Sequence, residues 1–191
     1  MMTTGRMKIV TPRGLSKVLL HVCCAPCSGN IIVYLKESGI DLGVFFYNPN
    51  IHPIEEYERR KEDLIRYARK MDVPVIDGDY HHEAWLEEVS GLEKEPERGQ
   101  RCEKCIAMRL SKTAVSAHEY RFPLIATTLS LSRWKDMDQV NRCGEIAVKP
   151  FSTVTFWPYN WRKQDGEKKA SVVSRVENFY RQKYCGCEFQ G

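Results

Sequence analysis

Lys17-Val18-Leu19-Leu20-His21-Val22-Cys23-Cys24-Ala25-Pro26-Cys27 is the stretch whose reading decides the fold. Its first six residues form a short, largely apolar run of the kind buried in the middle of a parallel sheet. The run ends directly in three cysteines, and Ser28-Gly29 leads into residues 30–39, which have helical spacing and a glycine stop. Leu42-Gly43-Val44-Phe45-Phe46-Tyr47 reads as a second strand and Asn48-Pro49-Asn50-Ile51-His52-Pro53 as the loop after it. Residues 55–71 form a charged amphipathic helix in which Tyr57, Leu64, Ala68 and Met71 share a buried face, and residues 73–77 a third strand. This alternation predicts an α/β fold with an open, mostly parallel sheet and flanking helices.

Further along, residues 85–89 read as a short helix, 91–100 as a charged loop and 102–120 as a helix. Residues 122–129 read as a fourth strand, 134–143 as a helix and 148–154 as extended chain, with a last helix expected around residues 171–184. A chain of 191 residues with 42% hydrophobic content suits one domain with a full core.

Seven of the eight cysteines fall into three tight clusters: Cys23-Cys24-Ala25-Pro26-Cys27, Cys102-Glu103-Lys104-Cys105 and Cys185-Gly186-Cys187. Packing alone rarely calls for thiols so close together. No apolar leader is visible at the start of the chain and Val18–Val22 is too short to span a bilayer, so a cytoplasmic protein with reduced thiols and no membrane association is expected. That compartment favours a metal or redox site over a disulfide framework. The first cluster opens a helix, whose N-terminus favours thiolates, and adjacent Cys23 and Cys24 are expected to point in different directions. Cys102 and Cys105 sit where a loop enters a helix. One C-C pair and one C-x-x-C pair offer four sulfurs, which fits zinc or an iron–sulfur cluster, although C-C is poor geometry for a zinc knuckle. Cys185-Gly186-Cys187 can bend into an easily reduced disulfide or share a metal. Cys143, standing alone, reads as a buried structural thiol, and His21 as half-buried.

The charge balance, 29 basic against 25 acidic residues, is only mildly positive. Basic residues beside aromatics, among them Arg133 with Trp134 and Trp161 with Arg162-Lys163, form a pattern able to grip phosphates and stack bases. No glycine-rich phosphate loop follows the first strand, so nucleotide hydrolysis has no support.

Taken in order, His21-Val22-Cys23-Cys24-Ala25-Pro26-Cys27, Tyr47-Asn48-Pro49-Asn50-Ile51-His52-Pro53, Arg101-Cys102-Glu103-Lys104-Cys105, Thr127-Thr128-Leu129-Ser130 and Tyr180-Arg181-Gln182-Lys183-Tyr184-Cys185-Gly186-Cys187 resemble the QueH family of epoxyqueuosine reductases. The match runs from Lys17 onward, leaving residues 1–16 as an extension and residues 17–191 as a single catalytic domain. The resemblance implies an adenine-nucleotide α-hydrolase-like fold with a cysteine-containing C-terminal tail. It implies removal of the epoxide oxygen from epoxyqueuosine at the wobble position of the tRNA anticodon loop, with an unidentified electron donor. It also implies a 4Fe–4S cluster on Cys23, Cys24, Cys102 and Cys105. Cys185 and Cys187 would then be a redox-active catalytic pair, or ligands of a second iron ion together with one of the front cysteines. Trp157 or Trp161 would stack the splayed wobble base. The rival readings are a thiol-dependent tRNA sulfur-transfer enzyme on the same fold and a non-catalytic zinc module.

Overall fold

The computed structural model describes residues 9–132 and 134–190. The first half of the extension expected over residues 1–16 lies outside the described residues, as does Arg133. Of the part described, Ile9 and Leu15 pack against the core.

Five parallel strands form one sheet in the order β3-β2-β1-β4-β5: β1 (Lys17–His21), β2 (Asp41–Phe46), β3 (Val75–Asp77), β4 (Leu124–Thr127) and β5 (Thr155–Phe156). The apolar run of β1 lies in the centre because both faces of a central parallel strand are covered by helices. Its alternate residues divide between two cores. Val18, Leu20 and Val22 pack with α1 (Ala25–Glu37), α2 (Ile54–Lys70) and α6 (Gly166–Val176) on one side. Leu19 packs with α4 (Gln100–Glu119) and α5 (Met137–Val148) on the other. A short helix, α3 (His82–Glu88), buries Trp85 beside Cys105 and Cys187.

Four boundaries differ from the sequence reading, each for a local reason. Helix α1 begins at Ala25 with Pro26 in its first turn, a position where the missing N–H costs nothing, so Cys27 belongs to the helix. Helix α4 begins at Gln100, which places Cys102 and Cys105 in its first turns. Asp136 accepts hydrogen bonds from the backbone N–H groups of Asp138 and Gln139 and starts α5, which continues through Val148, so the extended chain expected over 148–154 is mostly a turn and the edge strand comes after it. The last helix is Gly166–Val176; Asn178 follows at φ +51°, a left-handed position that ends it and frees the chain beyond as an irregular tail.

Candidate metal centre

Ligands of open α/β sheets bind beyond the carboxyl ends of the strands, and the thiols gather there. Cys23 and Cys24 follow β1, and beside them Thr127 ends β4 and Thr128 opens the turn after it. The Sγ atoms of Cys23 and Cys24 are 3.7 Å apart, so the two side chains converge instead of pointing apart. Cys27, one helical turn on, completes a group whose three sulfurs all lie within 4.8 Å of one another. Metal–sulfur bonds of about 2.3 Å at the tetrahedral angle place sulfurs about 3.8 Å apart, so this donor set suits one thiophilic ion. Hydrogen bonds from Cys24 and Cys27 hold the Cys23 thiol well below its ordinary range, while the same bond to Cys23 pushes Cys24 up to about 12. Thr128 Oγ1 adds a contact 3.5 Å from Cys23 Sγ.

Cys102, Cys105, Cys185 and Cys187 line a second, small cavity with Arg109 and Lys135. Cys102, Cys105 and Arg109 fall at i, i+3 and i+7 of α4, one helical face. The sequence reading therefore had a spacing signal for Arg109 and passed over it. Cys185 accepts a hydrogen bond from Cys187, and this, with the Lys135 and Arg109 charges, brings its thiol down to about 5 against the effect of burial. Burial acts to lower Lys135, but the sulfurs of Cys185, Cys102 and Cys105 outweigh it and keep the ammonium charged. Of the four cysteines expected to share one cluster, the fold places Cys23 and Cys24 in the first group and Cys102 and Cys105 in the second. Cys185 touches both settings, because it also lines the larger cavity of about 550 Å³ with Cys23 and Cys27.

The tail is held in place by contacts with distant parts of the chain. Arg60, 2% exposed, donates through Nη1 to the Cys185 carbonyl (3.0 Å) and through Nη2 to that of Tyr184 (3.1 Å). The His52 N–H donates to the Gly186 carbonyl (2.9 Å), and Gln182 Nε2 donates to Cys24 Sγ (2.8 Å). His82 bridges the Pro49 carbonyl and the Glu188 carboxylate and stacks on His52. Gly186 sits at φ +108°, where a Cβ would meet Ile51 at 2.7 Å. Gly186→Ala is therefore expected to displace the Cys185–Cys187 turn, lowering the unfolding free energy by roughly 1–3 kcal/mol through backbone strain and cutting turnover, as measured by denaturant titration beside an activity assay.

Three expectations are corrected. His21 is fully buried, with Nε2 donating to the Tyr47 carbonyl and Nδ1 facing Thr127 Oγ1 at 2.9 Å. Burial and then the Arg109 charge bring it down to about 3, so the ring is a neutral strut. Trp157 and Trp161 are core residues, 6% and 4% exposed, and Trp161 Nε1 donates to the Thr127 carbonyl, so neither is free to stack a base. Arg162 is a pin inside the protein: it donates to the carbonyls of Leu131, Ser132 and Lys135. Cys143 is buried against α4, its Sγ 3.6 Å from the Glu103 carbonyl, as a structural thiol should be.

A parallel sheet of this order, with thiols gathered at its carboxyl edge and in its C-terminal tail, defines a cysteine-rich α/β protein with the nucleotide α-hydrolase-like fold. Among proteins of that fold, the U34-tRNA thiolase NcsA from Methanococcus maripaludis with its 4Fe–4S cluster superposes with a TM-score of 0.61 at 13% identity, over 95% of this chain and 65% of that one. The chain thus spans slightly less than two thirds of that protein's length. The family model described as "Epoxyqueuosine reductase QueH" matches residues 18–191, and the chain belongs to that family. The epoxyqueuosine reductase QueH of Histophilus somni is 49% identical over 96% of this chain and 76% of its own length. That of Acinetobacter baylyi is 46% identical over 98% and 86%, and that of Thermotoga maritima 34% identical over 92% and 90%.

Proposed function

We propose that this chain reduces epoxyqueuosine to queuosine at the wobble position of tRNA. The observation that carries the reading, beside family membership, is the gathering of six thiols along two cavities that share Cys185, Arg109 and Lys135: Cys23, Cys27 and Cys185 line the larger, which is big enough for a single nucleotide, and Cys102, Cys105, Cys185 and Cys187 the smaller. The reaction takes an epoxide, two electrons and two protons to an alkene and water. In this reading the four thiols Cys102, Cys105, Cys185 and Cys187 would hold a 4Fe–4S cluster, and Cys23, Cys24 and Cys27 would hold a second iron. Support comes from sulfur count and spacing: a 4Fe–4S cluster takes four thiolates, while the three close sulfurs match the span around one ion. When bound, such iron supplies electrons singly and a Lewis-acidic position for the epoxide oxygen.

The residues around the metals have separate tasks. Arg109, buried, and Lys135, half-buried, line the second cavity with its thiols and balance the thiolate charge. Tyr184, its hydroxyl donating to the His52 carbonyl, and Arg60 fix the tail wall of the cavity. An external reductant delivers the electrons. No helix among the described residues is long and apolar enough to cross a membrane, in keeping with a cytoplasmic tRNA-modifying enzyme. The sulfur-transfer alternative asks for a phosphate-gripping loop after β1, and here that connection is built of Cys23 and Cys24.

Anaerobically prepared protein is expected to be brown, with broad absorbance near ~400 nm and about five irons per chain, and to convert epoxyqueuosine-tRNA with a strong reductant. Metal analysis, absorbance and mass spectrometry of digested tRNA check this. A colourless protein carrying zinc would favour the structural module instead.

A further inference from the structure

We infer that Trp134 is the platform on which the RNA base next to the target nucleotide stacks, so that this residue makes the enzyme select a single-stranded RNA loop over a free nucleoside. The inference rests on the proposed activity and adds to it the feature of the substrate that is recognised. A cavity of about 550 Å³ admits one flipped nucleotide, so its neighbours in the loop must stay at the rim. Trp134 lines that cavity at its mouth and is 57% exposed, while Trp85, Trp157 and Trp161 are buried.

Three arguments make the indole a built platform. First, its loop is anchored from below: Arg98 Nε donates to the Trp134 carbonyl (3.0 Å), and Arg162 holds the carbonyls of Leu131, Ser132 and Lys135. Main chain that is already anchored loses little further freedom when a base stacks on the side chain it carries. Second, an exposed tryptophan leaves apolar surface in water that a base would cover, and every base has a π-face. Third, Arg181 and Lys183, on the tail side of the same cavity, are exposed and have no acidic partner among the described residues. They stand where the phosphates flanking a flipped nucleotide would run. Of the acidic groups lining the cavity, Glu97 is 3.9 Å from Lys135 Nζ, and Glu167 belongs to α6.

The test measures holoenzyme affinity for a synthetic tRNA anticodon stem–loop, and KM and kcat for epoxyqueuosine-tRNA, in wild type, Trp134→Ala and Trp134→Phe. Trp134→Ala should raise Kd and KM roughly ten-fold or more, a typical single-base stacking effect. It should leave kcat at saturation, iron content and the salt slope of binding unchanged, because phosphate contacts are untouched. Trp134→Phe should restore affinity to within about three-fold, and should remove most of the fluorescence quenching that the wild type shows on binding, since the remaining tryptophans are buried. Lys183→Glu should instead weaken binding and flatten the salt slope. Wild-type affinity in Trp134→Ala, with normal turnover, overturns the platform alone. A wild type that binds no stem–loop, or reduces the free nucleoside as well as the tRNA, overturns the platform together with the RNA reading on which it rests.

Discussion

Replacing Cys185 and Cys187 together by serine is expected to abolish conversion of epoxyqueuosine-tRNA, lowering turnover by at least about a thousand-fold, and to strip most of the iron. A hydroxyl of ordinary pKa is a poor ligand for soft iron, and two of the four thiols around the second cavity would be lost at once. The change should barely disturb the rest of the fold, because the tail is held by backbone carbonyls that Arg60 and the His52 N–H continue to bind. Iron per chain and absorbance, read beside turnover, separate the two ligand assignments. A double variant that keeps a full cluster but has no turnover would place the cluster on Cys23, Cys24, Cys102 and Cys105, as the family resemblance implies. It would leave the tail pair as the redox couple. A variant with wild-type turnover would reduce the pair to a structural turn.

Arg109→Leu is expected to be nearly as damaging through a different route. The guanidinium is 4% exposed, donates through Nη2 to Asn48 Oδ1, and lines both cavities. Its Nε has no protein partner, a costly arrangement for a buried cation unless negative charge lies close by. The thiolates supply that charge: Arg109 helps to lower both Cys23 and Cys185. Removing one side of such a buried arrangement typically costs about 3–5 kcal/mol, because the other side stays behind uncompensated. Iron content and the denaturation midpoint of the holoprotein should therefore both fall. Arg109→Lys keeps the charge without the planar fork and should recover part of the iron. Leucine at this position with normal iron and an unchanged midpoint would show that the thiolates are balanced from elsewhere, with Lys135 the nearest candidate.

The chain itself determined the alternation of strands and helices, the central place of β1 and the presence of a thiol site at the sheet's carboxyl edge. These are local properties: an apolar run, a helical period and a cysteine placed directly after a strand carry their meaning within a few residues. The motifs that carry the family resemblance are local in the same way. Helix ends were less well read, because Pro26 and Asp136 act through single capping interactions that periodicity does not record.

Only the tertiary structure decided which thiols share a site and what surrounds them. Cys24 meets Gln182 across 158 positions of the chain, and Arg109 meets Asn48 across 61. It also decided that Trp161 and Arg162 face inward while Trp134 stays at the cavity mouth. Spacing within an element tells which residues share a face. Which faces then meet depends on how β1, α4 and the tail pack around a common core, and no local pattern carries that information.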